Sequence, residues 1–143
     1  LGIKFNERPN FFVTLFSRIR DLRAKTGRPH WLIVDEAHHV LPADWEPAEA
    51  VLPQKLDGTL MVSVTPSAVA PAALRLVDTL IVIGKKPREM LGEFAQANQT
   101  PVPEGALDKI PEGGALLWHR SRHEKPKFLN LEPTKTERKR HLR

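Results

Sequence analysis

Cysteine is absent from the 143-residue chain, which excludes a disulfide framework, a thiolate metal site and a cysteine nucleophile. A reducing, cytoplasmic setting is the expectation that fits. No run approaches the ~18 continuous apolar residues of a membrane helix, and the first residues lack the pattern of a signal peptide. A membrane partner is therefore not expected. No Gly-x-Ser-x-Gly elbow occurs, which argues against a serine hydrolase of that kind. The chain opens on Leu1 without an initiator methionine, so a piece excised from a longer protein is expected.

Apolar residues make up 41% of the chain, enough to build a core, so a disordered chain is not expected. Thirteen prolines in 143 residues are nearly twice the usual ~5% share, so many elements must be short and end abruptly. The formal charge of +5 is unevenly placed. Residues 119–143 carry nine basic and three acidic side chains, whereas residues 1–118 carry 13 basic and 14 acidic. A basic tail of this kind can bind nucleic acid or an acidic partner, or it can be a solvated end. No aromatic residue is interleaved near its end for base stacking, which favours the solvated reading.

Periodicity organises the chain. Phe12, Leu15, Phe16, Ile19 and Leu22 recur at helical spacing over Pro9 to Lys25, opened at Pro9 or Asn10 and closed by Gly27 and Pro29. Three continuous apolar runs follow, at Trp31 to Val34, Thr59 to Val64 and Thr79 to Ile83. Continuity rather than alternation predicts strands buried on both faces of a parallel sheet. Pro42 to Pro53 reads as a connection with one helical turn, and Ser67 to Leu76 and Arg88 to Ala97 read as helices. Ala115 to Trp118 and Phe128 to Leu131 predict a late antiparallel strand pair at one edge. The expected fold class is α/β, a parallel sheet flanked by helices with that strand pair at its edge. The expected division is 1–118 for that sheet and 119–143 for an edge hairpin and basic tail.

The strongest chemical signal is Trp31-Leu32-Ile33-Val34-Asp35-Glu36-Ala37-His38-His39. Two carboxylates stand at the C-terminal end of a buried strand, where open α/β sheets bind ligands. An apolar strand ending in Asp-Glu is the Walker B pattern. Asp35 would hold Mg²⁺ through its water, and Glu36 would activate the water that attacks a γ-phosphate of ATP. The alternative is that both acids start a loop and cap the next helix. The second run ends in Thr65, which is either a γ-phosphate sensor or a local cap for the helix beginning near Ser67. A Walker A loop is missing: Gly84-Lys85 is followed by Lys86, and Thr79 stands where the first glycine belongs. That element is expected upstream, on the same polypeptide.

Six histidines raise the question of a metal. His38 and His39 are adjacent, so a regular helix or strand cannot turn both toward one ion, although a loop could. His119 and His123 have i,i+4 spacing in a context that reads as strand and turn. No third ligand is evident for either pair, so a histidine metal site is not expected. His38 remains a secondary candidate through its place beside Glu36.

The segment from Gly27 to Pro42 resembles the Walker B region of HerA/FtsK-type ATPases. More narrowly, it is similar to the ATPase half of bacterial proteins that fuse a HAD-type phosphatase domain to a HerA-like domain. Val64-Thr65-Pro66-Ser67-Ala68-Val69-Ala70-Pro71-Ala72-Ala73-Leu74, Val77-Asp78-Thr79-Leu80 and Thr136 to His141 carry the same likeness. The resemblance implies a partial RecA-like (P-loop NTPase) parallel sheet and an ATP- and Mg²⁺-dependent hydrolase, able to form homo-oligomers, in which this chain supplies Walker B and sensor residues. Relatives often carry glutamine where Thr65 stands, so coupling to translocation is left open. Arg75, Arg88 and Arg120 are the candidate arginine fingers. Two rivals remain: an interaction or regulatory module of a HAD phosphatase, and a DEAH-box-like helicase fragment, which would share Asp35-Glu36-Ala37-His38.

Overall fold

The structure, a computed structural model, describes residues 2–47, 52–105, 109–122 and 124–132. The basic stretch 133–143, and with it any nucleic-acid contact of the tail, lies outside the described residues, as does His123.

A 3₁₀ turn, Phe5–Glu7, leads into helix α1, Arg8–Thr26. Pro9 sits in the first turn, where its missing N–H costs nothing. Gly27 ends the helix in the left-handed region at φ 65°, and its N–H bonds the Arg23 carbonyl. The chain continues through β1 (Leu32–Val34), α2 (Ala37–Val40) and β2 (Thr59–Met61). After a second 3₁₀ turn, Pro66–Ala68, come α3 (Pro71–Leu74), β3 (Thr79–Val82), α4 (Pro87–Ala97), β4 (Gly114–His119) and β5 (Lys127–Asn130).

Among the described residues these strands form two sheets. Strands β1 and β2 are parallel, with Leu32 opposite Thr59, Ile33 opposite Leu60 and Val34 opposite Met61. Strands β3, β4 and β5 form an antiparallel sheet in that order. The late antiparallel pair is therefore present, and His119 is the last residue of β4, bonded through Nδ1 to Thr79 Oγ1 at 2.8 Å. Both sheets share one core, in which Phe12, Val34, Leu41, Leu74, Val82, Leu91, Phe94, Leu116 and Trp118 are buried. Phe94 of α4 meets Trp118 of β4 edge-on, with ring centroids 5.8 Å apart.

Three expectations need correction. The third apolar run does not join β1 and β2 as a parallel neighbour; β3 pairs antiparallel with β4, Val82 opposite Leu116. The strands are buried on one face, not both: Val34 and Val82 are buried, whereas Ile33 is 66% exposed, Leu60 46% and Ile81 52%. The expectation of a helical turn within 42–53 falls partly on residues 48–51, which lie outside the described residues, and a helical turn that was not expected stands at Ala37–Val40. The helix expected from Ser67 to Leu76 is divided, because Pro71 lacks the N–H that a continuous helix would need.

One side chain ties α1 to the start of β2. The Arg23 guanidinium donates to the backbone carbonyls of Asp57, His30 and Gly58, anchoring the turn that sets the β1–β2 register. Gly58 lies beneath it at φ 62°, where an added Cβ would stand 3.0 Å from Arg23 Nη2 and 3.2 Å from the His30 oxygen. Arg23→Met keeps the stem and removes every donor, and should destabilise the protein by about 1–3 kcal/mol. Gly58→Ala should cost a comparable amount through backbone strain. Urea unfolding midpoints measure both; unchanged midpoints would show that the clamp is incidental.

Candidate functional site

The parallel pairing brings two strand ends together. The Val62 N–H bonds the Val34 carbonyl at 2.9 Å, and the Ala37 N–H bonds the Val62 carbonyl at 2.8 Å. Asp35 and Glu36, which follow β1, therefore stand beside the segment that follows β2. To make the turn, Glu36 adopts φ 49°, ψ 48°, a left-handed conformation uncommon for a residue with a side chain. Such a conformation costs on the order of 1 kcal/mol or more and persists only where its surroundings impose it. Here the imposing contacts are the Ala37–Val62 bond and the His39 N–H bonded to the Glu36 carbonyl at 2.8 Å.

That turn directs the Glu36 carboxylate to His38, whose Nε2 lies 3.2 Å from Oε2. Glu36 occupies the residue before α2 but makes no side-chain capping bond, so the helix-cap alternative for it is not realised. Asp35 accepts the Glu36 N–H on Oδ1 at 2.9 Å. His38 Nδ1 in turn lies 3.2 Å from Ser63 Oγ, and Ser63 Oγ donates to the Thr65 carbonyl at 3.1 Å. A serine hydroxyl has a single proton. With that proton committed to Thr65, Ser63 accepts from the Nδ1–H of His38.

The polar chain continues away from the carboxylates. Thr65 Oγ1 lies 3.2 Å from Ser67 Oγ, and the Ser67 N–H donates to Glu93 Oε2 on α4 at 3.0 Å. Thr65 makes no side-chain cap on the 3₁₀ turn it precedes, because Glu93 takes the N–H a cap would have bonded. Ser63 was not among the sequence candidates. Its signal was available: residues two apart on an extended segment share a side, so a hydroxyl at 63 accompanies the one at 65.

The candidate arginines fall elsewhere. Arg120 donates to Asn98 Oδ1 and to the Arg75 carbonyl, the latter at 2.9 Å, while its N–H bonds the Asp78 carbonyl. It binds the ends of α3 and α4 to the β3–β4 pair. A cleft of about 410 Å³ opens beside β1, with Asp35 and Ile33 on one wall and Arg8 and Phe11 of α1 on the other. Arg8 is held there by stacking on Phe5, 3.8 Å from the ring centre, and by its bond to the Ile3 carbonyl. Contrary to the sequence expectation for histidine ligands, the turn also gathers Glu36, His38 and His39, whose donor atoms all lie within 4.8 Å of one another.

No family model and no curated relative matches the chain. Among solved structures it is similar to the genome packaging NTPase B204 from Sulfolobus turreted icosahedral virus 2. Against that protein in complex with ATP-gammaS the TM-score is 0.65 at 11% identity, covering 92% of this chain and 73% of the other. Against the complex with AMPPCP the TM-score is 0.61 at 11% identity, covering 93% and 73%. The likeness shows the fold: this chain shares the mixed α/β fold of that protein. Among the described residues, no helix is long and apolar enough to cross a membrane.

The Ser63 contact can be tested alone. In Ser63→Ala the His38 ring loses the acceptor that fixes its proton on Nδ1, and the Nε2–H tautomer should gain population. Ring ¹⁵N shifts of His38 report the exchange directly. An unchanged tautomer would mean that Ser63 does not orient the ring.

Proposed function

We propose that the chain supplies the hydrolytic half of an ATP-hydrolysing site, with Glu36 activating the attacking water, Asp35 organising Mg²⁺ and Thr65 sensing the γ-phosphate. The observation that carries this reading is one arrangement: the Asp35-Glu36 pair and the Ser63–Thr65 segment follow adjacent parallel strands and meet at the same end of β1 and β2. Both similar structures are NTPase complexes with ATP analogues, which supports ATP as the nucleotide here.

Asp35 fits an Mg²⁺ site. Its Oδ1 is engaged by the Glu36 N–H, which leaves Oδ2 for water in the ion's shell. Mg²⁺ keeps several waters and needs only one or two carboxylates beside the substrate phosphates. The ion, when bound, would neutralise charge developing on the phosphoryl oxygens. Glu36, held by the left-handed turn and by His38, would accept the proton of the nucleophilic water. The Thr65 hydroxyl, linked through Ser67 to Glu93 of α4, would carry the state of the phosphate into the helix layer.

A second segment, bearing Walker A, completes the site in this reading. Its support is the half-open sheet. Ile33 and Leu60 are register partners sharing one exposed face, and fully burying side chains of this size contributes about 1.5–3 kcal/mol each. Exposed apolar surface of this kind fits a covering element. Homo-oligomer formation and a HAD-type phosphatase fusion belong to the same reading, resting on the sequence resemblance alone.

Two variants separate the roles in a polypeptide that includes Walker A. Glu36→Gln should retain nucleotide binding and lower hydrolysis by roughly 10²–10⁴-fold, the usual share of general-base help. Asp35→Asn should chiefly raise the Mg²⁺ concentration needed for turnover. Hydrolysis and nucleotide affinity measured side by side decide the matter; wild-type turnover in Glu36→Gln would withdraw the assignment. The 143-residue chain alone should bind Mg-ATP weakly, because its sequence holds no Walker A loop to wrap the phosphates in N–H groups and a lysine.

A further inference from the structure

We infer that Glu36, His38 and His39 form a binding site for a divalent transition ion of the zinc type, separate from the Mg²⁺ position at Asp35. Three observations converge on it. The donor atoms of the three residues lie within 4.8 Å of one another. The Ser63 hydroxyl, whose proton goes to the Thr65 carbonyl, holds the His38 ring through Nδ1 at 3.2 Å. His38 Nε2 lies 3.2 Å from Glu36 Oε2.

The spacing suits an ion: ligands ~2.0–2.1 Å from a tetrahedral centre stand about 3.4 Å apart. His39 supplies the third donor. Its ring lies 4.2 Å from that of His38, centre to centre, and Phe5 packs against it edge-on at 5.6 Å. Because Glu36 and His39 are exposed, small side-chain torsions close the remaining gap without moving the core.

The donor set selects the ion. Two imidazole nitrogens and one carboxylate suit zinc, cobalt or nickel, whereas Mg²⁺ prefers oxygen ligands throughout. Ser63 holds the far nitrogen of His38, as outer hydrogen bonds commonly orient metal-ligating imidazoles. The left-handed turn at Glu36 also has a purpose on this account, since it folds the carboxylate back over the histidines two and three residues later. The consequence for activity rests on the reading of Glu36 given above: an ion held by this carboxylate withdraws it from water activation, so zinc would inhibit hydrolysis.

Calorimetric titration of the 143-residue chain with zinc chloride, in nucleotide-free and phosphate-free buffer, tests the site directly. The expected result is saturable binding of one ion per chain, not reproduced by magnesium chloride. His39→Ala and His38→Ala should each weaken zinc binding by at least about 10-fold, and Ser63→Ala by roughly 10-fold. His39 is exposed, so His39→Ala keeps the test sound even if His38→Ala perturbs the fold. Equal zinc affinity in wild type and His39→Ala, or no binding at all, overturns the inference. The hydrolysis reading is judged separately: zinc binding beside full turnover in Glu36→Gln would sink that reading alone, and a dead Glu36→Gln enzyme without zinc binding would sink this one alone.

Discussion

The parallel pairing of two three-residue strands is the constraint on which the site depends. Strands this short contribute few ladder bonds, and a parallel pair cannot be closed by a tight turn. The register is held from outside the sheet instead. Arg23 reaches from the last turn of α1 to the carbonyls at the entrance of β2, and Gly58 leaves room for it. At the other end, Val62 bonds both Val34 and Ala37. A one-residue slip would turn Val34 out of the core and move Ser63 away from His38.

Once the register is fixed, the chemistry is compressed into a single turn. The chain leaves β1, takes one left-handed residue at Glu36 and enters α2, so that Asp35, Glu36, His38 and His39 stand on one short stretch. The carboxylate pair diverges: Asp35 folds onto its own backbone, whereas Glu36 turns to His38. Such divergence gives adjacent acids different surroundings, which is how two like groups come to hold different roles. The hydroxyls of Ser63, Thr65 and Ser67 then connect this turn to Glu93 on α4.

The rest of the molecule is a scaffold with one open face. The core gathers Phe12 and Phe16 from α1, Phe94 from α4 and Trp118 from β4 on one side of the strands. Arg120 closes the far corner by joining the ends of α3 and α4 to β3 and β4. On the opposite side Ile33, Leu60 and Ile81 remain exposed, an arrangement that costs a sheet part of the burial available to it.

Local physics made much of this legible from the residues alone. Helical spacing of Phe12, Phe16 and Ile19 placed α1, and Gly27 marked its end, because only nearby backbone bonds and one apolar stripe are involved. Apolar runs located β1, β2 and β3, and Asp35-Glu36 marked the end of the first as the candidate site. Composition could not say which strand each run would pair with, since a run that suits a parallel neighbour suits an antiparallel one equally; long-range packing assigned β3 to β4. Nor could it show that one face of the strands stays open. The gathering of His38 and His39 with Glu36 required a left-handed residue that the turn's tertiary bonds impose. The sequence determined the elements and the acids; the tertiary structure decided their partners, because pairing depends on which distant groups arrive at the same place.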